Sequence, residues 1–273
     1  MIVFSFINLK GGVGKTTIST NVAVALSMQN AKILFIDNDE QSNSSLFFNV
    51  DEKTKTLTDL YNAPNEIDIY DIIYKTRYPN IDCIPAGYDL NFVLMQYLQD
   101  KFKNEDKTHI LKNALNKVKD DYDICIIDNH PGINIATYNA LMVTNSVIIV
   151  TTTDLFSQKG LLTMKDKVNE VKEDRMNFED DYNSNDLTKS IRLEGCLVNK
   201  YINNPTFCKD KELYFNTNIR LVPNTKQYLF DKANIEHKSY IELSPRSRFA
   251  KDIYTFCEEL MNKILGGNVH GSN

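Results

Sequence analysis

Residues 2–17 constrain the fold more than any other stretch. An apolar run from Ile2 to Ile7 leads through Lys10 into Gly11-Gly12-Val13-Gly14-Lys15-Thr16-Thr17, and an amphipathic stretch begins at once. Strand, glycine-rich turn, Lys-Thr and helix in that order make a phosphate-binding loop. Glycines allow the backbone to turn its N–H groups inward as an anion nest, and the helix N-terminus adds about half a positive charge. In such a loop Lys15 reaches the β- and γ-phosphates of a nucleotide, and the Thr16 hydroxyl suits Mg²⁺. Gly11, Gly12, Val13, Gly14, Lys15, Thr16 and Thr17 are therefore the expected nucleotide-binding residues.

A loop of this kind sits at the end of a parallel strand, and the rest of the chain fits that setting. Short continuous apolar runs alternate with longer amphipathic stretches, which predicts an α/β fold: a doubly wound, mostly parallel sheet flanked by helices. The expected strands are Ile2 to Ile7, Lys32 to Ile36, Ile81 to Ile84, Ile124 to Ile127, Ser146 to Val150, Leu193 to Val198 and Ile219 to Val222. Helices are expected over 15–29, 88–102, 107–119, 134–144, 158–175, 206–217, 225–233 and 247–264. In the last, Phe249, Ile253, Phe256, Leu260, Met261 and Ile264 fall on one stripe. With 273 residues of which 42% are hydrophobic, and no Gly/Ser/Pro-rich divide, one domain over 1–265 is the simplest expectation. An acidic loop insertion is expected at about 176–190, and a frayed tail over 266–273.

The net charge is −5, and the stretch Asp166 to Asp186 alone carries all of it. The overall balance does not advertise nucleic acid as a partner, yet a local basic patch remains open. Five widely spaced cysteines without C-x-x-C or Cys/His ligand spacing suggest free thiols in a reducing compartment and no metal cluster. No run approaches the length that spans a bilayer, so a cytoplasmic protein is expected.

Lys10 departs from the general G-x-x-x-x-G-K-[ST] pattern, and here a resemblance begins. The run Lys10 to Thr17 resembles the deviant Walker A loop of the ParA/MinD family of P-loop ATPases. In that family the early lysine crosses a dimer interface to the phosphates of the other subunit, so the resemblance implies a homodimer formed with ATP and Mg²⁺, and catalytic roles for Lys10 and Lys15. The second strand runs into Asp37-Asn38-Asp39-Glu40-Gln41. Acidic residues at the carboxyl end of a parallel strand project into the ligand crevice of open α/β sheets. By resemblance to the family's switch region, Asp39 orients or deprotonates the attacking water and Asp37 serves Mg²⁺ through water. Gln41 matches the ParA form, although Glu40 stands where a proline is usual. Four apolar residues ending in Asp128 resemble a Walker B element, which makes Asp128 a metal-site candidate with Thr16 and Asp37. The following Asn129-His130-Pro131-Gly132 departs from the family's usual pair of prolines, and His130 reads as a loop residue rather than a proton shuttle.

The resemblance is weaker toward the C-terminus. Val222-Pro223-Asn224-Thr225-Lys226 and Ser244-Pro245-Arg246-Ser247-Arg248-Phe249-Ala250 are similar to two ParA stretches, the first of which borders the adenine pocket. Asn199 and Pro223 are thus candidate base contacts, with loop packing as the alternative. Gly195 to Leu265 is net basic at +3. ParA dimers bind DNA nonspecifically near this region, so Lys226, Arg246, Arg248 and Lys251 are DNA candidates, a solvated helix face being the other reading. The resemblance implies a slow, partner-stimulated ATPase that drives plasmid or chromosome partition with a centromere-binding, ParB-like protein and associates with the nucleoid in its ATP state. A MinD-like membrane-positioning ATPase is the alternative. It is disfavoured because Phe256 to Leu265 carries two acids to one base, so no membrane partner is expected. A redox role like that of the nitrogenase iron protein lacks a suitable cysteine pair.

Overall fold

In a computed structural model the chain is described over residues 1–51, 53–87, 89–90, 108–153, 155–178, 191–202 and 213–266. Among these described residues eight strands form one sheet: β1 (Ile2–Ile7), β2 (Ile33–Asn38), β3 (Tyr74–Lys75), β4 (Ile81–Ile84), β5 (Ile124–Asn129), β6 (Ser146–Thr151), β7 (Arg192–Tyr201) and β8 (Tyr214–Arg220). Their order is β3-β4-β2-β5-β1-β6-β7-β8, and every pairing is parallel except β3 with β4. The helices are α1 (Lys15–Ser27), α2 (Asn43–Phe47), α3 (Leu57–Asn62), α4 (Ile110–Val118), α5 (Ile135–Val143), α6 (Leu155–Phe178), α7 (Asn224–Ile235), α8 (Tyr240–Leu243) and α9 (Arg248–Gly266).

The strands read as unbroken apolar runs because both faces are covered, and the two-residue period divides each strand between two cores. Phe4, Phe6, Ile33, Phe35, Ile124 and Ile126 join the core beneath α1 and α9. Their neighbours Val3, Leu34, Ile36, Cys125 and Ile127 join the opposite core with α4 and α5. Toward β7, Val147, Ile149, Cys196 and Val198 pack with Met164, Val168 and Val171 of α6. Helix α1 is buried nearly all round from Ile18 to Ser27, as suits a helix pressed between the sheet and α9.

Several expectations change. Residues 214–217, expected to end a helix over 206–217, are the start of β8, and the strand expected at Ile219 to Val222 ends at Arg220. Phe215 and Ile219 alternate inward onto the core, a period-2 signal carried by the strand-favouring set Tyr, Phe, Thr and Ile. The outer position of β8 is managed by α9, where Glu259 accepts from the N–H groups of Asn216 and Thr217, and Asp252 from that of Arg220. Met176, Asn177 and Phe178 continue α6 rather than opening a loop, and Gly266 is the last residue of α9 rather than the first of a tail. The remaining insertion at 179–190, the tail from 267, most of the helix expected over 88–102 and the part of the 206–217 helix up to residue 212 lie outside the described residues. Cys83, Cys125, Cys196 and Cys257 are free and buried, and burial pushes the Cys196 and Cys257 thiols up to about 12. Among the described residues no helix is long and apolar enough to cross a membrane.

Candidate nucleotide-binding site

The carboxyl ends of β1, β2, β5 and β7 converge on one crevice. Strand β1 feeds the glycine loop, which enters α1 through Gly14 in the left-handed region at φ 93°. Asn8 organises the loop's start: its Nδ2 donates to the Val150 carbonyl at 2.6 Å and its Oδ1 accepts from the Lys10 N–H at 2.8 Å. The far side of the loop is held from β7. Asn199 Nδ2 donates to the Val13 carbonyl at 2.8 Å, and Lys200 Nζ donates to the Gly12 carbonyl at 3.0 Å. In a trans peptide the C=O and N–H point in opposite directions. With the carbonyls of Gly12 and Val13 drawn toward β7, the amides of Val13 and Gly14 face away from it, in the manner of an anion nest.

Gly14 is irreplaceable for two separate reasons. Its φ is unfavourable to any L side chain, and a Cβ there would lie 2.2 Å from Asn199 Nδ2. Gly14→Ala must therefore rotate the loop or displace Asn199. Strain of about 1–3 kcal/mol, about fivefold to 150-fold in affinity, is expected to appear as weaker binding of a fluorescent ATP analogue in titration.

Lys15 is 5% exposed, and burial lowers its pKa against the opposing pull of Asp128 and Asp39. Parallel pairing of β2 with β5 puts Asp37 opposite Asp128 in register, so two carboxylates share the crevice floor. Asp37 is wholly buried. Its Oδ1 accepts from the Asp39 N–H at 3.2 Å, and its Oδ2 accepts from the N–H and hydroxyl of Ser45, each at 2.7 Å. Burial, reinforced by the charge of Asp128, raises its pKa to about 8. Protein donors engage both of its oxygens, so Asp37 stands behind the site, holding the first turn of α2.

Asp128 differs. The hydroxyls of Ser44, at 2.6 Å, and Thr16 engage it, yet its Oδ1 is buried with no hydrogen-bond partner among the described residues. A buried carboxylate oxygen without a partner is costly, and beside a threonine hydroxyl and a phosphate loop it fits a hard cation such as Mg²⁺. Asp39, 7% exposed, accepts from the Gln41 N–H at 3.0 Å and lies near enough to Lys15 to raise its pKa.

A cavity of about 490 Å³ opens beside the loop, lined by Gly12, Asn199, Arg220, Val222, Gln227 and Phe230 among others. Its size suits a nucleoside. Asn199 belongs to its wall, whereas Pro223 sits just beyond Val222 as the residue that enters α7. Lys226, Arg246, Arg248 and Lys251 are all exposed, the last three clustered around the start of α9 and Lys226 on α7. Sequence reasoning missed Lys200, Ser44 and Ser45. Lys200 has a visible signal in retrospect, since it follows Asn199 directly, but its backward reach depends on a left-handed backbone at φ 52°.

A glycine nest over a buried lysine, paired acidic strand ends and a nucleoside-sized cavity define a P-loop nucleotide-binding α/β protein. A family model described as AAA domain matches residues 1–180, and the chain belongs to that family, within the ParA/MinD superfamily of P-loop ATPases. An uncharacterized protein of Mycobacterium tuberculosis is 33% identical over 73% of this chain, which spans 58% of that relative's length. The virulence plasmid ParA family protein pGP5-D of Chlamydia psittaci is 27% identical over 97% of this chain and 96% of its own. Among solved structures, the septum site-determining protein MinD of Pyrococcus horikoshii, complexed with Mg-ADP, superposes with a TM-score of 0.73 at 21% identity, covering 98% of each chain.

Proposed function

We propose that the chain is an ATP-driven switch for partition or positioning of DNA cargo. It binds ATP with Mg²⁺, closes into a homodimer, holds nonspecific DNA in that state, and hydrolyses ATP slowly until a ParB-like centromere-binding partner accelerates it. The observation that carries this reading is the contrast between two lysines of one loop. Lys15 is buried beneath the nest, whereas Lys10 is exposed before it, its backbone fixed by Asn8. One cation serves the chain's own phosphates, and the other is presented outward to a second copy.

The remaining residues take roles their positions support. Amides of the loop and Lys15 bind and orient the triphosphate. Thr16 and Asp128 hold the metal, which when bound neutralises charge on the β- and γ-phosphates, while Asp37 supports them from behind. Asp39 orients the attacking water and accepts its proton. Asn199 contacts the base, with Pro223 shaping the edge of its pocket. Lys226, Arg246, Arg248 and Lys251 contact DNA phosphates without reading sequence. The similarity to a plasmid ParA family protein along nearly the full length of both chains supports the partition setting and a nucleoid-associated ATP state.

The MinD-like alternative has less support. The apolar stripe of the C-terminal helix α9, comprising Phe249, Ile253, Phe256, Leu260 and Ile264, is already buried against the sheet and is not presented to lipid.

Gel filtration with ATP, with ADP and without nucleotide, followed by sedimentation of each species with DNA or anionic liposomes, tests the reading. ATP alone is expected to double the apparent mass and to confer DNA binding that weakens steeply with salt. A monomer in all three conditions that ignores DNA would overturn it.

A further inference from the structure

The two positions at which the switch loops depart from the family pattern meet in space. Glu40, in the loop after β2, places Oε1 2.9 Å from Nε2 of His130, in the loop after β5. Both side chains are largely withdrawn from solvent, with 18% and 27% exposure. The Nδ1 of His130 is buried with no hydrogen-bond partner, and it is the Nε2 side of the ring that meets the glutamate. We propose that this close imidazole–carboxylate contact is a brace that sets the position of Asp39 over the phosphate site, making Glu40 and His130 positioning residues for hydrolysis. The inference rests on the reading of Asp39 as the water-orienting group.

The loops are joined up to this point and need a tie beyond it. The ladder of β2 and β5 ends at Asn38 paired with Asn129, whose side chains bond at 2.8 Å, and the His130 N–H donates to the Asn38 carbonyl at 3.2 Å. Past that bond the backbone hydrogen bonds between the two loops stop among the described residues, and the Glu40 to His130 contact is the next link. Asp39 lies between them: one ligand-type atom from each of Asp39, Glu40 and His130 falls within 4.8 Å of the others. The braced loop also backs onto the phosphate loop, since Pro131 Cγ would lie 3.9 Å from a Cβ on Gly11. Proline would restrict φ by its ring, whereas glutamate and histidine leave the backbone free. The side-chain contact across the loops supplies the restriction instead.

Two measurements on the full chain test this. In steady-state ATP hydrolysis, Glu40→Ala and His130→Ala are each expected to lower kcat about tenfold with KM for ATP within about twofold, because a misplaced water-orienting group harms chemistry more than binding. The double variant is expected to be no slower than either single one, and Glu40→Gln, which keeps the acceptor, to recover most of the rate. In hydrogen exchange of the nucleotide-free protein, Glu40→Ala should speed exchange in the loops after both β2 and β5 while α1 stays protected. Losses that multiply in the double variant, unchanged kcat, or faster exchange confined to the Glu40 loop would overturn the brace. Wild-type turnover retained by an Asp39→Ala variant would overturn the role of Asp39 instead, and the exchange result still decides whether the brace exists.

Discussion

Lys10→Ala is expected to abolish ATP-dependent association and to lower turnover about 10³-fold, the lower end of what a charge supplied from a second subunit contributes in phosphoryl transfer. Nucleotide binding by the monomer should change little, since the nest and the buried Lys15 belong to the same chain and Lys10 is exposed beside them. Analytical ultracentrifugation with ATP measures association, single-turnover hydrolysis measures chemistry, and a fluorescent analogue measures binding. Mixing gives a sharper result. Combined in equal amounts with Asp39→Ala, the Lys10→Ala chain forms mixed dimers in which one site receives an intact Lys10 from its partner while keeping its own Asp39. The Lys10→Ala chain does not pair with itself, but each mixed dimer keeps one interface lysine and one competent site, so turnover well above that of either variant alone should return. A Lys10→Ala protein that dimerises and hydrolyses like wild type, or a mixture with no recovery, would refute action across the interface.

Asp39→Ala has the opposite signature. Turnover should fall about 10²- to 10⁴-fold, the range for removing a positioned general base, while ATP affinity is kept or improved. The gain in affinity follows from charge: the side chain is 7% exposed and its carboxylate acts on buried Lys15, so removing it leaves more of that cation for the triphosphate. ATP-bound dimers should accumulate and remain on DNA, seen as sedimentation with DNA that persists long after wild-type protein has released it. Asp39→Asn should hydrolyse nearly as slowly, which distinguishes proton acceptance from bulk. Rapid hydrolysis in either variant would remove Asp39 from the mechanism.

Much of the site could be read from the chain because it is local. The phosphate loop is contiguous, and its meaning needs only a strand before it and a helix after it, both visible as apolar periodicities. Asp37, Asp39 and Asp128 were legible as acidic residues at or just past the ends of buried strands. β8 was not, since Tyr214 to Thr217 combine strand-favouring side chains with a spacing that also suits the last turn of a helix, and the choice turned on Phe215 and Ile219 both needing the core beneath α9. The short helices α2 and α8 escaped notice for a related reason. At five and four residues they have little periodicity of their own, and long-range partners support them: Asp37 holds the first turn of α2, and Asn21 Oδ1 accepts from the Ile241 N–H of α8.

By itself, then, the sequence determined the class of fold, the phosphate loop with its two lysines, and the acidic residues available to it, because each depends on neighbours a few residues apart. Tertiary structure alone decided which of those residues face one another. Asp37 meets Asp128 only through the strand order that sets β2 beside β5, Lys200 and Asn199 reach the loop from 188 and 186 residues away, and Glu40 finds His130 across two strand ends. Strand order in a parallel sheet follows from how crossover helices bury both faces at once, a property of the whole chain that no local spacing records.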